Sequence, residues 1–374
     1  MDSMQSEFIR ILRDYLHGER AGYTITPQLL EYAATQETEG IFYLQTGDQS
    51  LYKSFAYAAY IYRMRTEAVQ DLSGKLKNIP HFYVKGLQLS AWYPDPPLRT
   101  MGDMDLIIRP EDRAQVMDIL SGAGFRIIHE FSSETTVMRD RLEIEVHTSL
   151  IHSSIGDKAA GDFFSDCWEH VTDHRLDPDY HFLFILQHLK GHMLSEGVGF
   201  RHFMDVALAA RDPALDWDRI TEGLAALKLL KFAKTVFAFN QYLFDMPAPI
   251  PAAAPDEDFC RMAADNIFEG GVFGHEAGSN HEAQIAAQAI ADGSDPEKAR
   301  RKYFIRLIFP DYAKMCRQSY CTYVRKTALL LPVAWIHRIL YNAVKPGQGK
   351  AFVRQTTWNQ EKEDRLEMFK KWGL

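Results

Sequence analysis

Apolar positions along this chain change period twice. From Phe8 to Leu12, and again from Leu51 to Leu76, they recur at helical spacing, with Tyr57, Ala58, Ile61 and Tyr62 on one face. The Tyr and Met positions of that lead-in read as core and not as a cofactor box. From His81 the period shortens. His81 to Val84 predicts a strand that runs into Lys85-Gly86, and Leu87 to Trp92 predicts the first turns of a helix. Tyr93 to Met101 carries Pro94, Pro96 and Pro97, so it can be neither helix nor central strand. Met104 to Ile108 predicts a second strand. Pro110-Glu111-Asp112 then opens a helix whose stripe is Val116, Ile119 and Leu120 and which Gly122 and Gly124 end. Phe125–Ile128, Thr135–Met138 and Leu142–His147 read as three more strands.

After Leu150 the strand signal fades. Tyr180 to His192 predicts a buried helix, Gly197 and Gly199 a break, and Phe200 to Leu208 the start of another helix. Ala248 to Pro255 is a loop, and the chain has no internal repeat. The pattern therefore predicts a helical N-terminal extension over 1–78, a mixed α+β core over 79–155, and a mostly helical region over 156–374.

At 374 residues and 46% hydrophobic, the chain can bury a large core, and 25% charged residues is the content of a globular protein. A formal net charge of -8 argues against a general nucleic-acid binder, yet leaves room for a nucleotide held through a divalent cation. Cys167, Cys260, Cys316 and Cys321 lack metal or redox spacing and read as reduced thiols. The N-terminus has no signal-peptide pattern, and the apolar stretch Ala328–Val344 is short and interrupted by Pro332, His337 and Arg338. The expectation is a cytoplasmic protein with no membrane partner. From Lys298 to Lys350 about a dozen Lys and Arg stand against Asp311 alone, with Tyr303, Phe304, Phe309, Tyr312, Tyr320, Tyr323 and Trp335 interleaved. Base stacking is one reading of that block; amphipathic helices whose cationic face covers an acidic catalytic half is the preferred one.

The chemistry concentrates at Gly102-Asp103-Met104-Asp105. On a strand, Asp103 and Asp105 point one way while Met104 and Leu106 point into a core. Adjacent carboxylates repel, and a divalent cation makes the arrangement favourable; Mg²⁺ uses one or two carboxylates and keeps open positions for phosphates. Leu142 to His147 alternates strictly, with Glu143, Glu145 and His147 on one face, so Glu145 is the natural third carboxylate if the strands are neighbours. Lys85-Gly86, at a strand-to-helix turn, suits a phosphate or is an ordinary tight turn. Arg99 neutralises phosphate charge or pairs with an aspartate; both remain open.

Lys85-Gly86, Tyr93-Pro94, Leu98-Arg99, Met101 to Asp105 and Glu145-Val146-His147 together resemble the uncharacterised bacterial nucleotidyltransferases of the polymerase-β-like superfamily. The matching core covers about His81 to Leu150. The resemblance implies a mixed sheet, two Mg²⁺ (or Mn²⁺) ions, a nucleoside triphosphate as substrate, and Asp103, Asp105 and Glu145 as metal ligands. One departure stands out: the wider superfamily opens its first helix with Gly-Ser, where this chain has Lys85-Gly86, a pair that the subgroup shares.

Further on, His188 and His192 are four apart on one helix, a spacing used for zinc. No Glu lies between them and no third ligand follows, so zinc is set aside. Instead His188, Lys190, His192, Arg201 and Asp205 form a polar cluster with two readings. One is a buried Arg201–Asp205 pair that fixes helix packing. The other has Lys190 or His192 facing the triphosphate or the acceptor, and the subgroup resembled carries a similar Lys/His then Arg…Asp pattern.

The expected activity is Mg²⁺-dependent transfer of a nucleoside monophosphate to a hydroxyl with release of pyrophosphate. The acceptor is open among small molecules, proteins and tRNA. Two rivals are a metal-dependent glycosyltransferase using Asp-x-Asp on a sugar nucleotide, and a nucleotide-binding module without activity.

Overall fold

The fold is taken from a computed structural model. It describes residues 1–130, 134–151, 158–195 and 197–271, together with 298, 301–302, 305, 308–310, 312–316, 321, 323–324, 327–344 and 360–374. Two compact units are present: Met1–Met193 with Gly197–His275, and Glu276–Leu374 with Leu194–Glu196.

The first unit is built on a five-stranded sheet of β1 (His81–Val84), β2 (Met104–Ile108), β3 (Arg126–Glu130), β4 (Glu134–Arg139) and β5 (Leu142–His147), in the order β1-β2-β5-β4-β3. β2 and β5 are parallel; the other neighbours are antiparallel. The strand expectations therefore hold to within a residue or two, and the mixed sheet makes the unit α+β.

Alternation divides the sheet into two faces. Tyr83, Met104, Leu106, Ile108, Val137, Leu142, Ile144 and Val146 point into one core, packed with Ala68, Leu72 and Leu76 and with Val116 and Leu120. The first two come from α4 (Tyr52–Lys75), the last two from α6 (Arg113–Gly122), which a 3-10 turn Pro110–Asp112 leads into. Between β1 and the proline-rich connection lies α5 (Gly86–Ser90), only five residues long. A one-residue slip of β2 would drive Asp105 into the apolar layer, so burial of the inner face also fixes the position of the acid.

The lead-in helices divide their contacts. α4 covers the sheet. By contrast α1 (Ser3–Leu16), capped reciprocally by Asp2 and Gln5, sends Phe8 against Phe42, Phe200 and Phe268. Phe42 lies on α3 (Glu39–Thr46), which follows α2 (Pro27–Thr35). Tyr57 departs from its expected core position: it is half exposed, and Arg141 lies over its ring and donates to its hydroxyl. The buried stripe of α4 begins only at Arg65, where the helix reaches the sheet.

Beyond the sheet come α7 (Lys158–Phe163), a short hairpin of β6 (Val171–Thr172) and β7 (Arg175–Leu176), α8 (Pro178–Ser195) and α9 (Phe200–Ala209). They are followed by α10 (Trp217–Ala226), α11 (Leu230–Phe244), the loop expected at Ala248–Pro255, and α12 (Glu257–Gly270). Both predicted helices after Leu150 are thus present, and Gly197–Gly199 breaks them apart.

In the second unit, helices Tyr312–Cys316, Leu331–Val344 and Gln360–Trp372 are described. Tyr303, Phe304, Asp311 and Tyr320 of the basic block lie outside the described residues. The four cysteines are free.

Candidate active site

The sheet face opposite the apolar core carries the acids. Parallel pairing sets Asp105 of β2 beside Glu145 of β5, and His147 follows two residues along the same face. His147 Nε2 lies 3.2 Å from Asp105 Oδ1 and 3.3 Å from Glu145 Oε2, and its Nδ1 lies 3.9 Å from Glu134 of β4. Asp105, Glu145 and His147 can each bring a ligand atom within 4.8 Å of the others, as a divalent ion requires. Among the described residues they form the one such group, and Asp103 is outside it.

Asp103 nevertheless shares the field of that group. It stands one residue before β2, on the side of Asp105, and its carboxyl is pushed upward by burial, then by the negative charges of Asp105 and Glu145. Asp105 goes the other way. Burial alone would raise it, but the Lys85 charge and the His147 hydrogen bond hold it below the usual carboxylate value. Burial likewise opposes the His147 cation, yet its bonds to Asp105 and Glu145 outweigh that and raise its pKa to about 9. A site whose carboxylates need a compensating positive charge has the donor chemistry for a hard divalent cation.

Lys85 supplies part of that charge, with Nζ 2.7 Å from Asp105 Oδ1. The turn that carries it is unusual: Lys85 has φ +55° and Gly86 φ +37°. A side chain at Gly86 would meet Met101 Sδ at 3.8 Å and the Asp103 carbonyl at 3.9 Å, ordinary contacts, so the backbone conformation is what calls for glycine. A lysine at positive φ beside a carboxylate site is strain of the kind that clusters at functional positions. The Lys85 amide donates to His181 Nε2 at 3.4 Å.

Arg99 is engaged by protein. Its Nε and Nη2 donate to the two oxygens of Asp205 at 2.7 and 2.8 Å, and Nη1 reaches the Gly86 carbonyl at 3.3 Å. The Tyr93 hydroxyl also donates to Asp205, at 2.8 Å. This bears on two open points. Of the two roles left for Arg99, the structure displays the aspartate pair. The expected Arg201–Asp205 pair is not formed: Asp205 turns across α9 to the proline-rich connection, while Arg201 donates to the Thr100 carbonyl at 2.7 Å and lies 3.7 Å from Glu37.

Three arginines thereby pin the segment that delivers the acids. Arg99 itself is clamped by Asp205, Arg201 holds Thr100, and Arg65 of α4 donates to the carbonyls of Met101 and Gly102. Arg65 is buried within an otherwise apolar stripe. Charge-assisted bonds to successive carbonyls leave Asp103 little freedom.

α8 carries His181 and Lys190, both buried, and His188 and His192, both partly exposed. His188 and His192 meet Nε2 to Nε2 at 2.9 Å, and His192 and His202 of α9 have ring centroids 5.2 Å apart. Burial, with the Lys85 charge next, holds His192 down to about 4; burial with the Arg99 charge does the same for His181. Lys85 and Asp105 both act on His192, so α8 is within electrostatic reach of the acids.

Arg65 was not singled out from the sequence, and neither the contact of His147 with Asp105 nor the strain at Lys85 was read there. For His147 a signal existed, its shared face with Glu145. For Arg65 none did, because a single arginine in a helical stripe looks like a solvated position.

A mixed sheet with its acids on one face and packed helices on the other is consistent with the α+β core of a nucleotidyltransferase. A family model described as uncharacterised nucleotidyltransferase matches residues 47–245, more than half of the chain, and the chain belongs to that family. No curated protein and no solved structure matches it.

Proposed function

We propose that the protein transfers a nucleoside monophosphate from a nucleoside triphosphate to a hydroxyl acceptor, with pyrophosphate leaving, and depends on Mg²⁺ or Mn²⁺. The observation that carries this reading is the register of Asp105 against Glu145, with His147 beside them, in a chain of the nucleotidyltransferase family.

In this reading Asp103, Asp105 and Glu145 would hold the divalent cation, and His147 would contribute a nitrogen or orient the two carboxylates. When bound, such a cation would supply charge for the triphosphate and lower the pKa of the acceptor hydroxyl. Lys85 gives Asp105 a countercharge 2.7 Å away and turns to phosphate oxygens when nucleotide is present. Arg99 acts through the Gly86 carbonyl, holding the phosphate-side turn instead of touching phosphate. Lys190 and His192, on α8, face the nucleotide or acceptor. The negative charge of the chain fits a bound nucleotide better than an extended nucleic acid.

The test is product analysis with each of the four triphosphates, Mg²⁺ and a panel of hydroxyl acceptors. Pyrophosphate release by wild type and its loss in Asp103→Ala supports the proposal. Turnover that survives Asp103→Ala at saturating Mg²⁺, or release of UDP or GDP from a sugar nucleotide, contradicts it.

A further inference from the structure

The second unit carries a helix that is apolar where a surface helix is normally polar. On Leu331–Val344 one side is used by the unit itself: Ala334 is fully buried with Met315, Cys321 and Val324, and Trp335 Nε1 donates to the Pro310 carbonyl at 2.8 Å. The other side is bare. Leu329, in the turn leading in, is 88% exposed, Val333 54%, Ile336 62% and Leu340 60%, and their spacing lines them along a single helix face. Ile339 is exposed beside it, and Phe309, also exposed, sets its ring edge-on to Trp335.

We infer that this face docks on an anionic phospholipid surface, with the helix lying in the plane of the headgroups. Charge argues for this occupant. In sequence, Arg325 and Lys326 precede the helix and Lys345 follows it, within a block of about a dozen cations opposed by Asp311 alone. A like-charged second copy would be repelled by this basic block, whereas anionic headgroups complement it. The chemistry of the face agrees. Its exposed members are Leu, Val and Ile, and Trp335 and Tyr341 on the same helix are partly buried, as suits rings at headgroup depth. At 14 residues the helix is about 21 Å long, too short to cross a bilayer, and no described helix is long and apolar enough to do so. The sequence expectation of no membrane partner rested on that shortness and on the interruptions at Pro332, His337 and Arg338, which speak only to spanning.

The test is flotation of the 374-residue chain with vesicles of phosphatidylglycerol and phosphatidylcholine, against phosphatidylcholine alone. Wild type is expected to float with the anionic vesicles only, and Ile336→Asp/Leu340→Asp to lose binding by roughly tenfold or more with an unchanged melting temperature. Should that variant fail to fold, Ile336→Ser/Leu340→Ser decides by the same two readouts. Wild type that stays with the unbound fraction overturns the inference, as does a variant that floats equally well. A wild-type dimer that these substitutions convert to monomer also overturns it, assigning the face to a second copy.

Discussion

The Lys85 ammonium sits 2.7 Å from the Asp105 carboxylate oxygen that His147 also approaches. One buried oxygen thus has two cationic neighbours. If that lysine compensates charge until nucleotide arrives, removing it should separate two affinities. Lys85→Met is expected to bind Mn²⁺ alone at least as tightly as wild type, since a competing cation is gone, while triphosphate affinity falls about tenfold or more. Calorimetry of each ligand separately checks this. Loss of Mn²⁺ binding in Lys85→Met would show instead that the lysine only builds the turn.

The Arg99–Asp205 fork is buried at both ends. Taking away one partner strands a charge, so Asp205→Ala is expected to cost about 3–5 kcal/mol, read from the shift of the denaturant midpoint. Arg99→Lys should recover little, because an ammonium cannot donate in parallel to both carboxylate oxygens. A loss below 1 kcal/mol, on the order expected of an exposed pair, would contradict the role assigned to this fork.

Arg65 holds Met101 and Gly102 just ahead of Asp103. Arg65→Met leaves two carbonyls without their donor, with an expected cost of about 1–3 kcal/mol. The distinguishing readout is metal affinity, which should weaken more than in a surface variant of equal stability loss. Arg65→Lys, which keeps one donor group, should recover part of it. Equal metal affinity in Arg65→Met and wild type would make the arginine purely structural.

Acid should unfold the protein through its buried histidines. His181 and His192 are held down to about 4, first by burial and then by the Arg99 charge for one and the Lys85 charge for the other. The unfolded chain takes up these protons near 6.5, before the native state does, so their stabilisation is whole above that pH. It is lost as pH falls toward 4, on the order of 3 kcal/mol for each histidine. Melting temperature measured between pH 7 and 4 should fall, and less steeply in His181→Asn. A flat profile in wild type would contradict it.

Much of this was legible in the chain because the informative signals are local. Strict alternation from Leu142 to His147 shows on its own which side chains share a face, and Asp103-Met104-Asp105 shows that the acids oppose the core. What β2 pairs with is not local: the parallel register that sets Asp105 against Glu145 depends on two intervening strands and a helix. The same holds for Arg99. Its type and its place after three prolines suggested either phosphate or a carboxylate, and only the packing of α9 brings Asp205 to it. Within α9 the one-turn spacing of Arg201 and Asp205 suggested a local pair, but each side chain found a stronger long-range partner, a full fork for one and the Thr100 carbonyl for the other. Lys85 illustrates the remaining limit, since backbone strain at a turn leaves no mark in residue type.

The most direct measurement is calorimetric titration of ATP, GTP, CTP and UTP into wild type and into Asp103→Ala/Asp105→Ala, with Mg²⁺ and with EDTA. The account predicts that at least one triphosphate binds wild type in Mg²⁺, that EDTA abolishes the binding, and that the double variant lacks it while remaining folded. Binding that survives EDTA or the double substitution, or no binding of any triphosphate to wild type, would contradict it.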